Sequence, residues 1–147
     1  MPKKENAFIL PLVYSPKYNI YFYKLETLHP FDCHKYEKIA TFLVDFFKKS
    51  QQLDLVLISP RRPVTNLELQ LVHSKEFIRQ ITRNKFAIIK ATEAPVMTCI
   101  PMCLIRKKLI KAFKTQVAGS ILTAFLSLKY GLCINLGKMC SPNLIKY

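Results

Sequence analysis

Residues 114–137 read KTQVAGSILTAFLSLKYGLCINLG, and this stretch decides the fold. Apolar residues in its first part recur at spacings of three and four, the period of one face of an α-helix. The sequence therefore predicts a helix that buries this face, formed by Val117, Ile121, Ala124, Phe125 and Leu128. Gly131 is the predicted stop, because glycine enters the left-handed C-terminal cap without a Cβ clash.

A short apolar run, residues 132–136, follows the helix and ends at Gly137. Apart from Asn135, its side chains are apolar, which is typical of a parallel strand buried on both faces. In open α/β sheets such a strand delivers its carboxyl end to a ligand site. Helix, glycine and strand make half of a βαβ unit, so the expected fold class is α/β.

The length and composition favour one domain. The chain has 147 residues, 50% of them hydrophobic, and a chain of that length can bury about 70% of its unfolded surface. The longest apolar run, around residues 117–128, is shorter than the roughly 20 residues that a membrane span requires. We therefore expect no membrane span and an intracellular soluble protein.

The five cysteines fit no zinc-ribbon or zinc-finger spacing. We interpret them as free, reduced residues that act as small core side chains. Cys33 and His34 are adjacent and point in different directions in any regular element, so they make a weak metal pair. His73 is interpreted as structural for a similar reason, since no partner ligands lie at metal-binding spacing.

The formal net charge is +14, which permits nucleic acid or anionic membrane partners. The densest basic run consists of Arg106, Lys107, Lys108, Lys111 and Lys114. Two interpretations stay open. The run alternates with Leu104, Ile105, Leu109, Ile110 and Phe113, as on the solvated face of an amphipathic helix. It is also the kind of basic patch that binds nucleic acid.

Two strands and a helix are predicted in the first half of the chain. Residues 7–14 are apolar and read as a strand, in which Pro11 indicates an edge position or a bulge. A helix over residues 35–48 would be capped by Asp32. The second strand is predicted over residues 53–58. The buried side of the helix is expected to hold Tyr36, Ile39, Ala40, Leu43, Phe46 and Phe47.

Further helix starts are marked by capping residues. Thr65 and Glu68 form a capping box that opens a short helix over residues 66–71. Ser74 is the expected cap of the next helix. Residues 86–89 are expected to be a strand or a buried connector. From Met102 a helix is expected to continue, with or without a break near Lys114, into the helix described first.

Two blocks of this sequence resemble the zinc-dependent histone deacetylases, most closely the class IV branch. One is Thr115-Gln116, the small pair that contains Gly119, and the step Gly131-x-x-Ile134-Asn135-x-Gly137. It is similar to the helix and strand that lead into the family's catalytic loop. The other runs from residues 14–20 to His29, Pro30, Phe31 and Asp32, and resembles the opening of class IV deacetylases.

The resemblance implies a partial three-layer, parallel-sheet fold of the arginase/deacetylase type. Residues 1–137 would be the N-terminal part of such a domain, truncated after the strand that leads to the catalytic loop, and residues 138–147 a divergent tail. The loop of His29, Pro30, Phe31 and Asp32 would lie at the rim of an acyl-lysine tunnel. For His29 the alternative is a turn histidine beside Pro30.

In the intact family, zinc is held by an Asp-x-His pair and a further aspartate, with a histidine pair and a tyrosine completing the site. None of these elements is recognised here. We therefore expect no catalytic residue, no metal site and no cofactor in this chain, inactivity by itself, low stability, and association with a chaperone or partner protein. The resemblance implies histones or other acyl-lysine proteins as partners of an intact relative, in the nucleus and/or cytoplasm. The alternative function is a basic, non-enzymatic module that binds nucleic acid or a partner protein.

Overall fold

The computed structural model describes residues 9–20, 32, 34–50, 54–93 and 95–137. These residues form three strands and five helices: β1 (Ile9–Val13), α1 (Lys35–Ser50), β2 (Asp54–Ile58), α2 (Asn66–Leu69), α3 (Lys75–Arg83), α4 (Lys85–Thr92), α5 (Met102–Tyr130) and β3 (Ile134–Asn135). Short 3₁₀ turns cover Pro16–Tyr18 and Pro95–Cys99. Helix α5 is continuous and contains one π-helical turn at Arg106–Ile110.

The three strands form a parallel sheet in the order β2-β1-β3. All five residues of β1 pair with β2, whereas β3 pairs only with Leu12 and Val13. The α/β class and the parallel sheet are confirmed, and they are consistent with part of a deacetylase-like fold. The expectation that β3 is buried is wrong, because Ile134 is 38% exposed and Leu132 is 50% exposed.

Pro11 does not mark an edge strand, since β1 is the central strand of the described sheet and Pro11 is buried. The carbonyl of Val13 accepts a hydrogen bond from the Leu136 N–H at 2.9 Å, so Val13 faces β3. Backbone groups alternate sides along a strand, which places the Pro11 nitrogen on the β3 side as well. The pairing with β3 begins only at Leu12, so the missing donor of Pro11 costs the ladder no hydrogen bond.

The buried face of α5 differs from the predicted one. The predicted residues Ile121, Phe125 and Leu128 are 46%, 68% and 86% exposed, and Ala124 is exposed as well. The helix instead packs its first half inward, through Ile105, Leu109, Ala112, Thr115, Gln116 and Gly119. The apolar period correctly indicated a helix, but no described element covers the C-terminal part of that face.

The core consists of separate clusters around α5 and β1. One joins Ile88 of α4 and Met97 to Ile105 and Leu109 of α5. Another joins Tyr14 and Tyr18, after β1, to Tyr36 and Ala40 of α1. The predicted burial of Tyr36 and Ala40 is confirmed, whereas Ile39 and Phe46 are 42% and 53% exposed. The inner edge of α1 thus packs on the turn that follows β1.

Most predicted helix starts are confirmed, because the capping contacts are local. The Asp32 carboxylate accepts a hydrogen bond from the His34 N–H at 2.9 Å just before α1. The hydroxyl of Ser74 accepts one from the Phe77 N–H at 3.2 Å at the start of α3. Residues 86–89, by contrast, are neither strand nor connector but lie in α4, where Asn84 Oδ1 accepts from the first-turn amides.

The Thr65–Glu68 capping box is present in full, and Arg62 reinforces it. The Glu68 carboxylate accepts hydrogen bonds from the Thr65 N–H at 2.6 Å and from the Arg62 guanidinium at 2.6 and 2.8 Å. Arg62 first, and then Thr65, lower the pKa of Glu68 to about 2. A folded pKa below the unfolded one gives a contribution to stability that is present above about pH 4.5 and is lost as the pH falls through about 2.

We therefore expect the Glu68 side-chain carbon to titrate with a midpoint near 2 in an NMR pH series. Arg62→Ala should raise this midpoint toward the ordinary value, since it removes the largest cause of the shift. Arg61→Ala is the matched control, because the Arg61 guanidinium takes no part in these hydrogen bonds. An equal shift in both variants would contradict the specific role of Arg62.

Helix α5 also bears on the expectation of no membrane span. By length and composition alone, this 29-residue helix is sufficient to cross a membrane, because an 18-residue segment of it has a mean hydropathy of 1.2; 28% of that segment is buried. The apolar run over residues 117–128 is too short for a span, but it is part of this longer helix. A core helix of a soluble protein meets the same criterion, so this helix is weak evidence for a span.

Candidate functional site

The carboxyl ends of the three strands meet at one edge of the sheet. At this edge the Tyr14 N–H donates to the Ile58 carbonyl at 3.0 Å, and the Leu136 N–H donates to the Val13 carbonyl at 2.9 Å. Ligand sites of open α/β sheets lie outside the carboxyl ends of the strands. This edge, called here the carboxyl edge, is therefore the first place to look for a site.

Tyr18 fills the space behind the carboxyl edge. Its side chain is 1% exposed and lies between two glycines, Gly119 of α5 and Gly137 after β3. A Cβ on Gly119 would overlap the Tyr18 hydroxyl and lie 2.9 Å from Cζ, and a Cβ on Gly137 would lie 2.9 Å from Cε2. Both positions therefore require glycine for a close approach rather than for a special backbone angle.

Asn135 connects β3 to α5 and to the turn that follows β3. Its Nδ2 donates to the Ser120 hydroxyl at 3.1 Å, and its Oδ1 accepts from the Gly137 N–H at 2.9 Å. The side-chain amide therefore fixes the direction in which the chain leaves the sheet. Tyr18, Gly119, Ser120, Asn135 and Gly137 together form a unit that we call the β3 clamp.

Gln116 anchors the clamp from α5. It is 3% exposed, and its Nε2 donates to the Tyr18 carbonyl at 3.3 Å. Within the described residues, its Oε1 and the Tyr18 hydroxyl lack a hydrogen-bond partner. Burial raises the pKa of Tyr18 to about 12, so this hydroxyl stays protonated at neutral pH. The clamp residues therefore hold backbone in position.

The predicted tunnel-rim loop is described only at its last residue, because His29, Pro30 and Phe31 lie outside the described ranges. Asp32 is exposed, and its carboxylate also accepts from the Lys38 amine at 2.8 Å. Lys38 first, and then the His34 amide, lower the pKa of Asp32. These contacts are those of a helix cap, which was the other role predicted for Asp32.

Asp32 and His34 also have the Asp-x-His spacing that was not recognised in the sequence. The carboxylate of Asp32 is occupied by Lys38 and by the His34 backbone, whereas the His34 ring lies 3.6 Å from a carboxylate oxygen of Glu37. The spacing therefore serves the start of α1. Among the described residues, no group of three or more His, Cys, Asp or Glu side chains converges as a metal site.

The described cysteines, Cys99, Cys103 and Cys133, are free thiols. Their predicted role as core side chains is wrong for Cys99 and Cys103, which are exposed, while Cys133 is half-buried. His73 lies against Phe77, with 4.9 Å between the ring centroids, which is consistent with the predicted structural role.

The basic run divides into two parts. Arg106, Lys107 and Lys108 of the π-helical turn are exposed, as is Lys111 just after it, while Leu109 of the same turn is buried. These four basic residues therefore lie on the exposed face of an amphipathic helix. Lys114 is separate from them. Its amine donates to Asn66 Oδ1 at 2.6 Å, and burial lowers its pKa.

The sequence marked Tyr18 and Gln116 only as parts of the two blocks that resemble the family, and it did not predict that they are site residues. One signal was available, because glycine inside a helix costs about 1 kcal/mol relative to alanine and so indicates a close packing partner. Gly119 stands in the middle of α5 and meets this condition. The identity of this packing partner could not be predicted, because Tyr18 is far from Gly119 in the sequence.

The chain is similar to a curated protein named Histone deacetylase 2 from Arabidopsis thaliana, with 31% identity over 127 residues. The match covers 86% of this chain but 31% of the relative, so the chain spans about a third of that protein's length. No protein-family model and no solved structure matches the chain. Over most of its own length, the chain is thus histone-deacetylase-like.

Proposed function

We propose that residues 1–137 supply the N-terminal scaffold of a zinc-dependent, class IV-like histone deacetylase domain, and that the chain does not hydrolyse acyl-lysine by itself. The observation that carries the proposal is the β3 clamp. It includes residues of both blocks that resemble the family, and it fixes the direction of the chain at Gly137. In the family that the chain resembles, the catalytic loop immediately follows the corresponding strand.

In this proposal the clamp supports the catalytic loop and takes no part in the chemical step. Its buried tyrosine and half-buried asparagine hold backbone in place. A catalytic loop needs such support from a rigid scaffold. Zinc, where it is bound in such a domain, would polarise the acyl carbonyl and activate water. In the proposal, histones or other acyl-lysine proteins are substrates of the complete domain, in the nucleus and/or cytoplasm.

The unpartnered apolar residues support association of this chain with a chaperone or another protein. Phe125 and Leu128 on α5, and Phe42 and Phe46 on α1, are each more than half exposed. Elements that flank a parallel sheet normally bury such faces. Because these apolar faces lack a covering element among the described residues, we propose both that the chain binds such a partner and that it has low stability alone.

A chimera gives the sharpest test of the scaffold role. The segment of the Arabidopsis relative that matches this chain is replaced by the corresponding residues of this chain, and hydrolysis of an acetyl-lysine peptide is measured. We expect the chimera to retain activity, and the chimera with Gly119→Val to lose it because valine does not fit beside Tyr18. The 147-residue chain should show substoichiometric zinc by mass spectrometry and no hydrolysis.

The controls test separately the scaffold role and the inactivity of the chain by itself. An Ala124→Val chimera should behave as the unchanged chimera, since Ala124 is exposed on the same helix. An inactive chimera beside an active Arabidopsis protein would contradict the scaffold role. Stoichiometric zinc together with peptide hydrolysis by the chain alone would contradict its inactivity.

A second candidate function is a basic module that binds nucleic acid, favoured by the exposed side chains of Arg106, Lys107 and Lys111 at one turn of α5. In this case duplex DNA should bind with an affinity that falls steeply with salt. The Arg106→Ala/Lys107→Ala variant should lower the slope of log affinity against log salt by about two, since each residue neutralises one phosphate. Fluorescence anisotropy over a salt series measures this slope.

The matched control is the Lys48→Ala/Lys49→Ala variant, which removes two exposed charges from α1. If both double variants change the slope equally, binding reflects the net charge of +14 and not a patch. Absence of salt-dependent binding would remove this second candidate.

A further inference from the structure

The described sheet has an open edge on the side of β3 that faces away from β1. The Leu136 N–H donates to the Val13 carbonyl of β1, and backbone groups alternate sides along a strand. The N–H and C=O groups of Asn135 therefore point away from β1. No described strand pairs with β3 on that side, because the order is β2-β1-β3. An open edge of this kind is a template for pairing with a strand of another chain.

Two apolar surfaces also lack a cover among the described residues. Side chains alternate faces along a strand, and the Asn135 side chain reaches Ser120 of α5. Ile134 therefore points to the face of the sheet opposite α5, where it is 38% exposed. The second surface, called here the α5 outer face, consists of exposed residues in the C-terminal half of that helix: Ile121, Ala124, Phe125 and Leu128. Parallel sheets are normally covered on both faces, so a covering element is expected on each side.

These surfaces together indicate the kind of partner. A short extended peptide would pair with the strand edge and leave both apolar surfaces exposed. A partner that covers all three must supply a strand together with further elements on both sides of the sheet, and is therefore a folded α/β segment. A second copy of this chain is disfavoured, because each copy has a net charge of +14 and like charges repel.

The longer Arabidopsis relative indicates where such a segment comes from. The match covers 86% of this chain but 31% of the relative, so more than two thirds of that protein lies outside the match. We propose that the open edge of β3 and the α5 outer face bind, on a separate chain, the part of a histone-deacetylase-like domain that this chain does not match. The inference rests on the proposed function and adds that the two parts associate without a covalent link.

Co-expression tests the association. The 147-residue chain, with an affinity tag, is produced together with the part of the Arabidopsis protein that follows the matched segment. The purified material is analysed by size-exclusion chromatography with light scattering, and we expect a complex that contains one copy of each chain. Phe125→Lys should lower the affinity by more than about tenfold, because it buries an unpaired charge at the interface. Ile134→Lys should also weaken association, since lysine on an edge strand opposes further pairing.

Phe86→Lys is the matched control. Phe86 is 80% exposed on α4, and this helix packs through Ile88 against Ile105 and Leu109, in the first turns of α5. The control variant should bind the Arabidopsis part as the unchanged chain does. An equal loss of affinity in Phe86→Lys and Phe125→Lys would overturn the inference. Recovery of the chain only with itself or with a chaperone would overturn it as well.

A cleavable chimera separates failure of this inference from failure of the proposed function. A protease site is placed after Gly137 in the chimera described above, and the two pieces should stay together on size exclusion after cleavage. This measurement decides the question if the Arabidopsis part does not fold in co-expression. An active chimera whose pieces separate overturns the inference and leaves the scaffold role intact. An inactive chimera contradicts the scaffold role, and co-expression then decides the association by itself.

Discussion

Gly119→Val is expected to destabilise the chain by about 3 kcal/mol or more, because the added side chain overlaps Tyr18. Tyr18 is 1% exposed and packed between α5 and the turn after β3, so its ring has no open direction in which to move. Folded domains are stable by only about 5–15 kcal/mol, and this cost is a large fraction of that. Urea unfolding followed by far-UV circular dichroism measures the loss.

Ala124→Val is the matched control. It introduces the same β-branched side chain on an exposed site of the same helix and should cost less than about 0.7 kcal/mol. The milder Gly119→Ala should be partly rescued by Tyr18→Phe, since the hydroxyl is the atom nearest to the new methyl group. Equal unfolding midpoints for Gly119→Val and Ala124→Val would contradict the close approach.

Replacement by lysine at two positions of α5 is expected to change the free energy of unfolding by very different amounts. Leu109→Lys should cost more than about 4 kcal/mol, because it removes a buried leucine and places a charge in an apolar cluster. Leu109 is 2% exposed and packs with Ile88 and Ile105. Phe125→Lys should change the free energy of unfolding by less than about 0.5 kcal/mol, since Phe125 is 68% exposed.

Thermal unfolding of both variants distinguishes the structure from the face expected from periodicity alone. Analytical ultracentrifugation adds a second measurement, because Phe125→Lys should reduce any self-association that the exposed apolar face promotes. Leu128→Lys, at a position that is 86% exposed, should behave in the same way. If Phe125→Lys unfolds the chain, the C-terminal part of α5 is buried and the described packing is wrong.

The helix caps could be predicted from the sequence, whereas the buried face of helix α5 could not. The caps at Thr65 and Ser74 involve residues three positions apart, so the sequence contains both partners side by side. The apolar period of α5 correctly indicated a helix. It predicted the wrong buried face because a period does not say whether a partner for that face is present.

Helix α4 was missed because a short apolar run such as residues 86–89 has no decisive period. Asn84, a strong N-cap residue two positions earlier, was the available signal. Only part of the β3 clamp could be predicted from the sequence. The interior glycine at position 119 predicts a close neighbour, but only the folded chain shows that this neighbour is Tyr18.

Pro11 limits the registers that the sheet can adopt. A two-residue strand has few bonds to hold its alignment, and sliding by two residues would keep the same side chains on each face. Pro11 lacks the N–H donor that further pairing on the β3 side would use. Any alignment in which β3 pairs with residues before Leu12 therefore leaves a carbonyl of β3 without a hydrogen bond. This proline in the central strand thereby disfavours alignments shifted toward Pro11. In the observed alignment Asn135 pairs with Val13, and its Nδ2 donates to the Ser120 hydroxyl of α5.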